Sequence, residues 1–280
     1  MQKTWTLRLR GNYRQFDKPI VMGILNATPD SFYNQGRDSS FNALLANAQR
    51  MVQDGASMLD IGGMSTRPGA LEISVEEEIN RVLPLVQAIR KEMPDVLISI
   101  DTYRSEVAQQ TLAHGADIIN DISAGTFDPK ILDIVASYHA PLIAMHSPAK
   151  SDTMQNNPQY QNVVTDVLAF FAERIQTISA KGIPDIILDL GFGFGKTLEH
   201  NYTLLNHLAD FDLFQRPMLV GISRKSMIYK PLQIQAEQAL NGTTALHMVA
   251  LHHGANMLRV HDVREAIECI QLHECLQRNA

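Results

Sequence analysis

Residues 97–121 read LISIDTYRSEVAQQTLAHGADIIND. An apolar run, Leu97–Ile100, stops at Asp101. A helical stretch, Glu106–His114, follows and ends on Gly115. A second apolar run, Asp117–Asn120, closes the segment. Short apolar runs bounded by polar residues read as buried strands, and the longer stretch as a helix. Glycine supplies the positive φ on which helices end. Two strands joined by a helix form a βαβ unit, so the strands lie parallel.

The same beat repeats on both sides. Strands are predicted at Ile20–Leu25, Met58–Ile61, Leu142–Met145, Ile186–Leu188, Met218–Gly221 and Met257–Val260. Helices are predicted at Phe41–Asp54, Val75–Glu92, Pro129–Tyr138, Asn162–Lys181, Leu198–Leu208, Ile234–His253 and Val263–Gln277. Ser74 with Glu77 fits a capping box. Eight almost wholly apolar strands in βα units predict the α/β class and a closed (β/α)8 TIM barrel. A chain of 280 residues suits one such barrel, a single domain spanning 1–280. An open doubly wound sheet would carry Gly-x-Gly-x-x-Gly after its first strand, and Leu25–Asp30 does not. Ahead of the barrel, Trp5–Phe16 alternates and predicts an N-terminal β-hairpin, about 5–17, turning at Gly11-Asn12.

Hydrophobic residues make up 45% and charged residues 19%, the balance of a chain with a sizeable core. A net charge of −6 argues against nucleic acid or an anionic membrane as partner. No run reaches the ~20 apolar residues of a membrane span. The N-terminal segment lacks a signal peptide's apolar core. Cys269 and Cys275, on different faces of one predicted helix, are not expected to pair, which fits a cytoplasmic protein.

Polar residues collect where the predicted strands end. In order these are Asn26; Asp60 running into Gly62–Gly69; Asp101; Asn120-Asp121; His146; Asp189 with Gly191–Lys196; Ser223–Ser226; and Arg259 with His261-Asp262. A parallel barrel gathers its C-terminal strand ends at one mouth, where barrel enzymes place their active sites. Single Asp and Asn residues there can be caps or Asx turns. Asp121 and Asp262 are read that way, but caps do not require Lys225, Arg259 and His261. Ser65-Thr66-Arg67 beside Gly62-Gly63 offers backbone N–H groups, hydroxyls and a guanidinium to an anion. Gly191–Thr197 imitates a phosphate loop, but Leu190 stands where that pattern requires glycine. No zinc-spaced cluster is present.

Taken together, these pieces resemble the dihydropteroate synthase family of pterin-binding barrels. The likeness rests on GILNATPDSF (23–32), DIGGMSTRPG (60–69), IDT (100–102), INDI (119–122), MH (145–146), DLGFGFGK (189–196), SRKS (223–226) and RVHDV (259–263). Met64 and Leu190 depart from the family's usual Glu and Pro. The resemblance implies a transferase joining 7,8-dihydropterin-6-methyl diphosphate to 4-aminobenzoate, with diphosphate leaving. It implies that Asp101, Asn120, Ile122, Met145, Asp189 and Lys225 hold the pterin. Asn26, Thr66, Arg67, Arg259 and His261 would hold diphosphate, with Mg²⁺ on Asn26. Thr66, Arg67, Pro68, Phe194, Lys225 and Ser226 would frame 4-aminobenzoate. Asp101, Asp189, Lys225 and Arg67 are the expected catalytic residues. The family also implies a homodimer.

That layout predicts two regions at the mouth: a carboxylate-and-amide pocket and a separate cationic anion seat, with Lys225 between them. A pterin-barrel methyltransferase using methyltetrahydrofolate, or a non-catalytic pterin-binding paralogue, are the alternative readings. The first has no need of SRKS together with RVH. The second would have lost the anion or loop residues, which are all present.

Overall fold

The computed structural model describes residues 4–27, 36–64, 72–148 and 159–279. The elements run β1 (Trp5–Leu9), β2 (Asn12–Phe16), β3 (Ile20–Asn26), α1 (Gly36–Gln53), β4 (Met58–Gly62), α2 (Val75–Glu92), β5 (Leu97–Asp101), α3 (Ser105–Ala113), β6 (Ile118–Asp121) and α4 (Lys130–Ser137). They continue with β7 (Leu142–Met145), α5 (Val163–Ala180), β8 (Ile186–Asp189), α6 (Leu198–Asn206), β9 (Met218–Val220), α7 (Ser226–Leu232), α8 (Leu240–His252), β10 (Met257–Val260) and α9 (Val263–Arg278). Strands β3 to β10 pair in parallel and close into a barrel, with β10 against both β3 and β9. The (β/α)8 barrel read from the sequence is therefore the fold, and β1–β2 form the separate antiparallel hairpin.

The strands are apolar because both faces are buried. Their outward side chains, such as Val21, Leu59, Ile98 and Ile119, pack with the helices in the main core. Their inward side chains begin with an apolar layer of Met22, Met58, Leu97, Ile118, Ile143, Ile187, Leu219 and Met257. Trp5, Leu7, Leu9 and Phe16 of the hairpin join that layer and plug the N-terminal end of the barrel. An isolated hairpin is marginal in water. Here each buried side chain contributes roughly 1.5–3 kcal/mol, and Asp117 adds a polar anchor. Its buried carboxylate takes Arg10 of the hairpin at 2.5 Å and Arg90 of α2 at 2.6 Å.

Three local readings are corrected. The hairpin turns on Arg10-Gly11, not Gly11-Asn12: Leu9 pairs with Asn12, and Arg10 and Gly11 have φ of 50° and 79°. Two positive φ values in a two-residue loop match the twist of the flanking strands. The helix expected over Ile234–His253 begins only at Leu240, preceded by a short 3₁₀ turn at Ala236–Gln238. Helix α7 is absent from the predicted helices, although Ser223–Ser226 reads as opening a loop or a helix. It is seven residues long, contains Pro231, and its N-cap Lys225 makes no side-chain capping bond, so it lacks the usual signals. The Ser74 cap is present, with its side chain accepting from Glu77 N at 3.1 Å, while the Glu77 carboxylate turns to Arg81.

Candidate active site

Two residues beyond the apolar layer, strand alternation brings the next inward positions to one level. These are Ile24, Asp60, Ser99, Asn120, Met145, Asp189, Gly221 and Arg259, each two residues along from Met22, Met58, Leu97, Ile118, Ile143, Ile187, Leu219 and Met257. The barrel interior thus changes from apolar to polar halfway along its axis. A pocket opens above, lined by Asp101, Asn120, Ile122, Met145, Asp189, Phe194, Gly221, Lys225 and Arg259.

Arg259 is the centre of this layer. Its Nε donates to Asp60 Oδ2 at 2.6 Å and its Nη2 to Asp101 Oδ2 at 2.7 Å, while Asn120 Nδ2 donates to the same Asp60 oxygen at 3.0 Å. Burial opposes the charge on Arg259, but Asp60 and Asp101 outweigh it and hold the guanidinium above its usual pKa. Asp101 is pushed up to about 7, first by burial and then by the neighbouring carboxylates Asp60, Glu78 and Asp189, against the pull of Arg259. Burial also raises Asp189, against Lys225 and the Gly191 N–H, which donates to its Oδ1 at 2.8 Å. Of the buried side-chain atoms without a partner among the described residues, Asp101 Oδ1 and Asn120 Oδ1 belong to the pocket lining, and Asp60 Oδ1 and Ser99 Oγ to the polar layer beside it. Buried acceptors left unmade inside a pocket mark where a ligand's donors can go.

Lys225 reaches into the same space from the loop after β9. Its Nζ donates to Phe192 O at 2.6 Å and lies 4.9 Å from the centre of the Phe194 ring. Burial lowers its pKa to about 8, with Asp189 and Asp101 opposing. The loop carrying Phe192 and Phe194 can pass this close to β7 only because residue 191 is glycine. At its φ of +68°, a Cβ would stand 2.0 Å from His146 O. Ile122 and Met145 form an apolar wall with Tyr103, against which Met64 and Phe194 pack. Of the two departures from the family pattern, Met64 thus fills this wall and Leu190 is fully buried in the main core.

At the rim, His261 is exposed, and Ser223 Oγ lies 3.1 Å from its Nδ1. Packing around the ring and the charge of Arg259 lower its pKa to about 4, so the imidazole is neutral. Asn26 ends β3, exposed and paired in register with Gly62. Asp262 stands at the N-cap of α9 but makes no capping bond, contrary to the reading as a cap. It binds Arg224 through both oxygens, at 2.8 and 2.7 Å. Asp121 is structural as read, accepting from Ser123 N, Ser123 Oγ and Gly125 N. Among the described residues, no group of three His, Cys, Asp or Glu side chains could hold a metal ion.

The structure therefore brings Asp101, Asn120, Ile122, Met145, Asp189, Phe194, Lys225 and Arg259 together in one pocket. Asn26, His261 and Ser226 lie outside its lining, Ser226 as the first residue of α7. Thr66, Arg67 and Pro68 fall outside the described residues. Two corrections follow. The carboxylate pocket and the cationic seat are not separate, because Arg259 sits in the pocket on Asp60 and Asp101. Asp60 itself was left out of the expected set. Its signal was legible: a carboxylate inside a strand that is otherwise apolar, Met-Leu-Asp-Ile-Gly.

Comparisons with known proteins agree with this geometry. The pterin binding enzyme family matches residues 22–261. The dihydropteroate synthase of Escherichia coli is 43% identical over 267 residues, covering 95% of this chain and 94% of that one. Among solved structures, Yersinia pestis dihydropteroate synthase in a sulfonamide complex superposes with a TM-score of 0.91 at 41% identity, covering 99% of this chain and 100% of that one. Xanthomonas albilineans dihydropteroate synthase, solved with 4-aminobenzoic acid, gives 0.91 at 37% identity over 98% and 99%. The chain belongs to the pterin-binding enzymes and, among them, to the dihydropteroate synthases, which are transferases.

Proposed function

We propose that the pocket binds 7,8-dihydropterin-6-methyl diphosphate and joins it to 4-aminobenzoate, releasing diphosphate and 7,8-dihydropteroate. The observation that carries this reading is the pair of buried, unpartnered acceptors on Asp101 and Asn120 in the same pocket lining as the ammonium of Lys225. A pterin edge presents N–H donors and ring acceptors together, so carboxylate, amide and ammonium partners can satisfy all of it. Ile122 and Met145 supply an apolar face for the flat ring. The Xanthomonas relative with bound 4-aminobenzoic acid supports the second substrate.

The charge layout supports a dissociative substitution. Breaking the C–O bond leaves positive charge on the methylene and ring and extra negative charge on diphosphate. Asp101 and Asp189 would stabilise the first, and Arg259, His261, Asn26, Thr66 and Arg67 the second, through their charges and dipoles. Arg259 is shared between both roles, since it rests on Asp60 and Asp101 until a more highly charged anion competes for it. The arylamine is neutral at working pH, so its attack needs no strong base. Lys225, Phe194, Ser226, Thr66, Arg67 and Pro68 would frame it.

Mg²⁺ fits this site as a companion of diphosphate. It keeps several waters and needs only one or two protein oxygens, which the exposed side chain of Asn26 can offer. Bound there, it would neutralise charge on the leaving group. A homodimer belongs to the same reading. Leu272 and Leu276, four apart and exposed on α9, mark a face that such a contact would cover, and light scattering would test it. Cytoplasmic residence is also part of it, with Cys269 and Cys275 both free. No helix among the described residues is long and apolar enough to cross a membrane. Purified chain with Mg²⁺ and both substrates should release diphosphate and form dihydropteroate, and no turnover under those conditions refutes the reading.

A further inference from the structure

Lys196 occupies the place of the lysine in the false phosphate loop, and the reaction above does not use it. It is 4% exposed. A buried ammonium persists only where its donors are satisfied, and here they are. Nζ lies 2.9 Å from Gly191 O, 3.0 Å from Phe194 O, 3.0 Å from His146 Nδ1 and 3.3 Å from His146 O. Burial and then the charge of Lys196 lower His146 to about 2, and burial lowers Lys196 itself to about 7 against the pull of Asp189.

These partners belong to two different strand ends. His146 follows β7, whereas Gly191 and Phe194 belong to the loop after β8. Phe194 N also donates to Gly191 O at 3.0 Å, so Lys196 grips both carbonyls of one tight turn. On the opposite side, that turn presents groups to the pocket. Gly191 N holds Asp189 Oδ1, Phe192 O accepts from Lys225, and the Phe194 ring lies over the Lys225 ammonium.

We propose that Lys196 is a positioning residue, gripping the carbonyls of Gly191, Phe194 and His146 so that Phe194 is held over Lys225, where it frames the 4-aminobenzoate ring. The proposal rests on the substrate reading above. It acts through the loop: Lys196 is not among the residues lining the pocket. Lys196→Met fills nearly the same space with no donor, so it releases the turn while leaving Asp101, Asn120 and Arg259 in place.

The test is steady-state kinetics of K196M against each substrate in turn, with melting curves as a control. The KM for 4-aminobenzoate should rise about tenfold or more, the scale of an ångström-sized displacement near the chemistry. The KM for the pterin diphosphate should rise clearly less than that for 4-aminobenzoate, since Asp101, Asn120 and Arg259 make no bond to the turn, although Asp189 and Lys225 do. A purely structural role would lower the active fraction, and so kcat, and leave both KM values unchanged. Combined with Phe194→Leu, K196M should add nothing beyond about twofold to the KM of F194L alone, because the two share one path. An unchanged KM for 4-aminobenzoate, equal rises for both substrates, or additive effects in the double variant would each overturn the proposal. So would failure of both K196M and K196Q to fold, which would make Lys196 a residue of the fold rather than of the loop. Absence of turnover by the unmodified chain would instead sink the substrate reading, so the two failures are distinguishable.

Discussion

Asp101→Asn tests the chemistry of the site with little change of shape. Asp101 spends Oδ2 on Arg259 and leaves Oδ1 buried without a partner among the described residues. Its charge therefore faces the pocket, while Arg259 keeps its second anchor on Asp60. A cationic methylene or ring atom about 4 Å from that carboxylate gains about 4 kcal/mol at an effective dielectric near 20. Loss of the charge should lower kcat by roughly a thousandfold. Burial and the nearby carboxylates raise Asp101 to about 7. The ionised form is the active one, so kcat/KM, which reports the free enzyme, should fall as pH drops through about 7. In the variant residue 101 no longer titrates, so the limb near pH 7 should vanish. The assay is diphosphate release from pH 5 to 9 with both substrates. A variant within about threefold of the unmodified rate, or one that keeps the acid limb, would refute the assignment.

Lys225→Ala removes the donor to Phe192 O and the charge beneath Phe194; kcat/KM should drop about a hundredfold with an unshifted melting curve, and near-normal kinetics would remove Lys225 from the mechanism. On the alkaline side, kcat/KM should decline as Lys225 loses its proton near pH 8, because its ammonium is the working form; a flat profile up to pH 10 would contradict that. Asp117→Ala leaves Arg10 and Arg90 without their shared buried carboxylate; urea titration should show about 3–5 kcal/mol of lost stability, and an unchanged midpoint would refute the hub. Gly191→Ala sets a Cβ 2.0 Å from His146 O at a positive φ; a lower melting temperature and lost turnover are expected, and a fully active, equally stable variant would show that the close approach is not needed.

The barrel was legible because its signals are local. Leu97–Ile100 is apolar since the sheet buries both faces, and glycines such as Gly115, at φ 106°, follow the helices they end. The strand ends followed from the strands, so Asp101, Asn120, Asp189 and Lys225 could be named before any geometry. Convergence was harder to read. Asp60 and Arg259 are 199 residues apart and share a bond of 2.6 Å. Nothing near either residue announces the other, so Arg259 was assigned to an anion seat and Asp60 to no role. Asp262 precedes a helix as a cap would, yet a guanidinium from the neighbouring loop outcompetes the helix N–H groups for it. Leu190 set aside the phosphate-loop likeness of Gly191–Thr197, but sequence spacing could not show that Lys196 faces backbone carbonyls instead.

In the proposed reaction Asp101 and Asp189 stabilise a cationic methylene, while Arg259, which rests on Asp60 and Asp101, also serves the departing diphosphate. The most direct measurement places deuterium on the methylene carbon that bears the diphosphate and compares kcat/KM with the unlabelled substrate. A carbon that becomes a planar cation in the transition state predicts a normal isotope effect, clearly above one. A value at or below one would mean that the amine is already bonding as the diphosphate leaves, and would contradict the account.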